Sequence, residues 1–267
     1  MISWMKYKFV YFAISAIFLI AGTFSLVKWG LNLGIDFTGG VVTEYRLSNG
    51  VVETKKSGIK TNEEIDKIRE DYKKQNATEL RFEVVGPSIG PDLIKKTFYA
   101  LGTSALLILL WVAIQFKSIK FGVSAILAMI HDSLILVGGF SLLGHFFNVE
   151  IDFLFVTAVL TILSFSVHDT IVVYDRIREK QRKYDPALGT DITNIANSAL
   201  TETMVRSLNN SFTIIFMLLS LVLLGGETIR WFAVALLIGT ISGTYSSPFV
   251  AVPILVTWEE LEKKFKK

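Results

Sequence analysis

The chain has 267 residues, 51% of them hydrophobic, 20 phenylalanines, no cysteine and a formal net charge of +3. A sequence this apolar belongs in a bilayer and not among soluble domains of its size. The absence of cysteine excludes disulfides and thiolate metal sites, and the small net charge gains meaning only once it is placed on individual loops.

In chain order, the uncharged run Phe9–Val27, bounded by Lys8 and Lys28, predicts a first spanning helix. It is too long for a usual signal-peptide core, and no clear small-residue cleavage site follows it, so it is expected to stay. Segment 30–97 then reads as a small α+β domain. Its Val41–Leu47 stretch is strand-like, and Asn49-Gly50 is a turn signal. Thr61-Asn-Glu-Glu64 has the form of a capping box and opens a helix to about Gln75, with Ile65, Ile68 and Tyr72 at helical spacing. Glu79–Val85 alternates as a half-buried strand does. Gly34-Ile-Asp-Phe-Thr-Gly-Gly40 and Gly86–Leu93 flank this domain as turn-forming segments, and Asp36 suits a cap.

Five more uncharged or nearly uncharged runs follow: Thr97–Phe116, Phe121–Val149, Phe153–Tyr174, Ser207–Gly226 and Trp231–Trp258. Each is long enough to span. The expected class is therefore an all-α polytopic membrane protein with six spanning helices and a small α+β domain between helices one and two. The expected parts are 1–29, the N-terminus with helix one; 30–97, the α+β domain; 98–258, helices two to six; and 259–267, a basic tail. Lys6 and Lys8, Lys117 and Lys120, the run from Arg176 to Lys183 and the tail from Lys263 carry the excess basic charge. The positive-inside rule places both termini and those loops in the cytoplasm and 30–97 outside, in a multi-pass protein of the cytoplasmic membrane.

Inside this apolar frame a few polar residues stand out. Asp169 lies within the fourth run, at a depth where a carboxylate costs roughly 2.5–3.5 kcal/mol. Such a group is by default functional, and alternating burial with a nearby cation would make it load and release a proton. Arg206, just before helix five, is the candidate cation, with an interfacial anchor as its plainer reading. Asp132, next to His131 in helix three, suits either a proton relay or a buried structural hydrogen bond. His168 adds a second titratable group, although neighbours on a helix point about 100° apart. Asp175 and Arg176 reach the interface, where solvation or an ion pair suffices. Gly239-Thr-Ile-Ser-Gly243 suits close helix packing, and Pro248 and Pro253 predict a kink. No nucleotide loop, metal cluster or nucleic-acid element is present, and no cofactor is expected.

Taken together, Gly34–Gly40, Val85–Gly90, His131-Asp132, Ser166–Glu179 and Gly243–Ser247 resemble the SecD/SecF family of protein-export membrane subunits. The similarity runs in order along nearly the whole chain, and it draws Gly34, Asp36, Gly39, Gly40, Asp175 and Arg176 into its motifs. It implies a fold like half of an RND transporter, a SecD partner, the SecYEG channel, a translocating preprotein, and use of the proton-motive force across the lipid bilayer, with no enzymatic activity. It also supports Arg206 as the cation of an expected proton relay of Asp169, Arg206, Asp132 and His168, the last included only because it can titrate. One position departs from the family, which usually has Asn where His168 stands. Two rival readings use the same residues: an RND-like exporter half for small hydrophobic molecules, and an intramembrane aspartyl protease built on Asp132 and Asp169.

Overall fold

The computed structural model describes residues 2–48, 50–58, 62–86, 89–183 and 191–265. Thr61 of the capping box, Asn49 of the turn, Pro87 and Ser88 of the second flanking segment and the last two tail lysines lie outside them. Six helices are long and apolar enough to cross a membrane. They are α1 (Lys8–Trp29, preceded by a 3-10 turn), α4 (Ile89–Phe116), α5 (Ile119–Phe147), α6 (Phe153–Lys183), α7 (Ile192–Leu224), and a last span in which α8 (Glu227–Ser246) passes through a π-helical turn, Ser247–Ala251, into α9 (Val252–Phe265). The expected kink is thus a widened turn around Pro248, where a missing N–H leaves the regular hydrogen-bond ladder open to rearrangement.

Contacts divide the chain into two units: residues 32–100 with 150–153, and the remainder. The larger, helical unit packs α5 against α1 and α8, and α7 against α8. Small residues set the approach distances. A methyl group on Gly138 would lie 2.5 Å from Gly22 Cα, so α1 and α5 touch backbone to backbone. One on Gly239 would lie 2.4 Å from Ile162, so the Gly239–Gly243 pair lets α8 close on α6. Below them, Phe116 stacks on Phe121 at 5.2 Å and both meet the fully buried Tyr174 edge to face. The Tyr174 hydroxyl donates to Ser124 Oγ (2.7 Å), so this aromatic core holds no unsatisfied phenol.

The smaller unit is a three-stranded antiparallel sheet of order β2-β1-β3, with β1 (Gly40–Arg46) central between β2 (Val52–Ser57) and β3 (Thr78–Val85). Helix α3 (Asn62–Lys74) covers one face: Tyr72 stacks on Tyr45 at 3.9 Å, and the Arg69 guanidinium lies 3.7 Å over the Phe82 ring while binding Glu79. Burial and the Glu79 carboxylate that accepts from its hydroxyl push the Tyr45 phenol up to about 12. The sequence expectation of strand–helix–strand omits β2. That strand has little apolar character and is held by backbone pairing at an exposed edge, a feature that alternation of side chains does not reveal.

Candidate functional site

The polar residues of the spanning helices gather into two clusters. The first centres on Asp132 of α5, which is 1% exposed. Its Oδ1 accepts from Ser242 Oγ (2.6 Å) and His131 Nδ1 (3.0 Å), and its Oδ2 accepts from Ser166 Oγ and Ser246 Oγ (2.6 Å each). A carboxylate only accepts, so all four partners act as donors and its lone pairs are filled from α5, α6 and α8. Beside it, Ser247 Oγ and Thr170 Oγ1 meet at 2.9 Å, and Ser247 also reaches the Ser166 carbonyl, so the π-helical turn of the last span is tied to α6 by hydroxyls. His131 is likewise buried, and its Nε2 has no hydrogen-bond partner.

The second cluster surrounds Asp169, one turn along α6 from Ser166 and 3% exposed. It reaches α7, where Ser207 Oγ donates to Oδ2 at 3.0 Å. Among the described residues this is its one hydrogen bond. Arg206 is exposed and lines a polar cavity of about 500 Å³ with Asp175, Arg176, Glu179, Glu202 and Thr203. No ion pair joins it to Asp169 among the described residues. In that cavity Arg176 binds Glu179 and Glu202, and Lys180 reaches Glu202 at 2.6 Å. His168 is exposed on another side of α6, in an apolar groove with Leu107, Ile108, Trp111 and Ile171. Ile171 borders both hollows.

The glycine motif takes a different place. Residues Ile35–Thr38 form a single helical turn, α2, entered from Gly34 and left through Gly39 at φ +73°. Gly40 opens β1 at φ +141°, where a side chain would meet the Ser57 carbonyl at 2.8 Å. Asp36 Oδ2 accepts from the Phe153 N–H at 2.8 Å.

Sequence reasoning did not single out Ser166, Ser207, Ser242 or Ser246. The available signal was spacing: Ser242 and Ser246 lie four apart and thus on one face of a membrane helix, as do Ser166 and Thr170.

A six-span membrane protein with carboxylates sequestered between its helices is a transport protein in form. Residues 64–261 match the family model for protein export membrane protein SecD/SecF, C-terminal, and residues 24–51 match that for the SecD/SecF GG motif. Protein translocase subunit SecF of Thermobaculum terrenum is 39% identical over 97% of this chain and 94% of its own length. SecDF of Bacillus subtilis is 30% identical over 97% of this chain, which spans 38% of that longer protein. The crystal structure of SecDF from Thermus thermophilus, titled a translocon-associated membrane protein, superposes with a TM-score of 0.85 at 30% identity, over 96% of this chain and 38% of that one.

The chain therefore belongs to the SecD/SecF family of protein-export membrane proteins, on its SecF side. Its role is that of an auxiliary protein-translocase subunit, a transport role and not an enzymatic one.

Proposed function

We propose that this subunit, paired with a SecD-type half beside the SecYEG channel in the cytoplasmic membrane, uses the proton-motive force to help preproteins leave the channel, and that Asp169 is the residue that loads and releases the proton. The observation carrying this reading is the setting of Asp169, a buried carboxylate in a spanning helix, restrained among the described residues by one hydroxyl, that of Ser207, whose chain neighbour Arg206 lines a polar cavity. A group so lightly held changes proton state without dismantling its surroundings, and a cation brought near it in another conformation would favour release. A potential of about 100 mV contributes roughly 2.3 kcal/mol per charge moved, enough to bias such a cycle.

Three features support the partner and the orientation. Arg206, Asn209, Asn210 and Thr213 form an exposed polar stretch on α7, and His168 is exposed on α6; a second membrane half would remove these groups from lipid. The SecDF relatives carry a further three-fifths of chain beyond the matched part. The basic loops favour both termini in the cytoplasm and segment 30–97 outside. Against a protease, Asp132 and Asp169 share no hydrogen-bond partner among the described residues and engage different helices, whereas an aspartyl dyad shares a proton between its carboxylates. Against a small-molecule exporter stands the family match along the length of the chain.

The test is Asp169→Asn in vesicles containing this subunit, a SecD-type partner and the channel. The variant keeps size and hydrogen bonding, so complex yield should equal the parent's. Export stimulated by the proton-motive force, and ion flux, should fall to the level without the subunit. Full driven export by Asp169→Asn rejects the reading.

A further inference from the structure

We infer that Asp36 of the glycine motif is a positioning residue of the export cycle: it caps the head of the helix that carries Asp169 and so makes the small α+β unit respond to movements of that helix. Phe153 is the first residue of α6, and the first N–H groups of a helix lack intrahelical partners. Here the partner of the Phe153 N–H is supplied from 117 positions earlier in the chain, by Asp36 Oδ2 at 2.8 Å. A carboxylate at this end also complements the positive end of the helix dipole.

The bond is one tooth of a clasp. The Gly34 N–H donates to the Ile151 carbonyl and the Ile151 N–H donates to the Asn32 carbonyl, each at 2.8 Å, so the chain leaving α1 pairs as a parallel bridge with the segment leading into α6. A methyl group on Gly34 would lie 3.0 Å from the Ile151 oxygen, and one on Gly90, at the head of α4, would lie 2.1 Å from the Phe37 carbonyl. Gly34 of the motif and Gly90 of α4 are thus the condition for α2 to sit against two helix heads at once. Asp169 lies sixteen residues further along α6, about 24 Å at 1.5 Å per residue, in one uninterrupted helix. A shift of that helix acts directly on the clasp, and through β1, which begins at Gly40, on the sheet.

This inference rests on Asp169 being the residue that titrates, and the experiment separates the two. In vesicles holding the complete complex, Asp36→Ala should leave complex yield and ion flux at parental levels while driven export falls about fivefold or more, and exchange of the Phe153 amide should accelerate about tenfold, the range expected for loss of a helix cap. Asp36→Asn and Asp36→Ser, which also accept from a backbone N–H, should restore both. Asp169→Asn is distinguished by losing flux together with export. Should Asp36→Ala fail to accumulate, Gly34→Ala keeps the carboxylate but crowds the Ile151 carbonyl, and should give the same uncoupling in milder form. Parental driven export by Asp36→Ala, or by Gly34→Ala where Asp36→Ala does not fold, overturns the inference. Loss of flux along with export in Asp36→Ala overturns it too, as does failure of both Asn and Ser to rescue.

Discussion

Asp132 and Asp169 lie in consecutive spans and are almost equally buried, yet among the described residues Asp132 accepts four hydrogen bonds and Asp169 accepts one. The four donors of Asp132 come from three helices, so losing this carboxylate loosens the packing of α5, α6 and α8. Asp169 is attached to α7 by a single hydroxyl and loses little when that bond breaks. Two carboxylates in consecutive spans are thus held very differently, and the proposed function gives them opposite uses. One fastens helices, and the other is left adjustable. Depth in the membrane marks a carboxylate as important, but the number of donors around it decides which kind of importance it has.

The comparison breaks most visibly at Asp132. Asp132→Ala strands the Ser166 and Ser242 hydroxyls and an imidazole N–H in the core, each costing about 1–3 kcal/mol, and leaves Ser246 only its longer bond to the Gly243 carbonyl. The folded subunit should be lost from detergent extracts, as read by size-exclusion chromatography and thermal unfolding. A monodisperse Asp132→Ala subunit with the parent's melting temperature would remove the distinction between the two sites.

Next in size is Arg206. If its charge resets Asp169 in another conformation, Arg206→Met should abolish most driven export at normal yield and Arg206→Lys should retain a substantial part. Equal export by Met and the parent would reduce Arg206 to an interfacial anchor.

The serines sharpen the contrast further. Ser207→Ala removes the single donor of Asp169 and should shift the pH profile of driven export with little change in melting. Ser242→Ala should do the reverse, lowering stability by roughly 1.5–3 kcal/mol, the worth of a hydrogen bond to a charged group, while leaving the profile in place. Matching effects from the two variants would contradict the division of labour.

The smallest effect lies in the α+β unit. Because the Tyr45 phenol is held at about 12 in the fold, against about 10 when unfolded, its contribution to stability is complete below pH 10 and is lost as pH rises to 12. Hydrogen exchange of β1 should therefore increase across that window. Tyr45→Phe should flatten the dependence, at a cost of about 1 kcal/mol for the lost bond to Glu79.

Much of this was legible in the sequence because the bilayer enforces it. A run of some twenty uncharged residues between lysines has few places to go, so all six spans could be read from composition, and a carboxylate such as Asp169 stands out against that background. What stayed hidden depends on contacts remote in sequence. Ser166, Ser242 and Ser246 are ordinary membrane-helix residues until they converge on Asp132. Asp36 reads as a turn former because its partner is a backbone N–H, which has no signature in the residue letters. β2 escapes notice because an exposed edge strand is selected by its pairing with β1 and not by its own side chains.

The widened turn at Ser247–Ala251 makes the last span a length gauge. A π turn holds one residue more than the regular helix would, and here it is buried, with Val250 and Ala251 in the core. Deleting that one residue would let the span close into continuous α-helix with everything beyond in nearly its present orientation, so Leu255 and Val256 would stay enclosed and Glu260 would stay beside Lys8. A deletion of one residue from the regular turns of α8 has no such reserve. It would rotate everything beyond by about 100° and swing Leu255 and Val256 out of the core. The tolerance of this span to changes in length is therefore set by the turn at its middle and not by the thickness of the membrane it crosses.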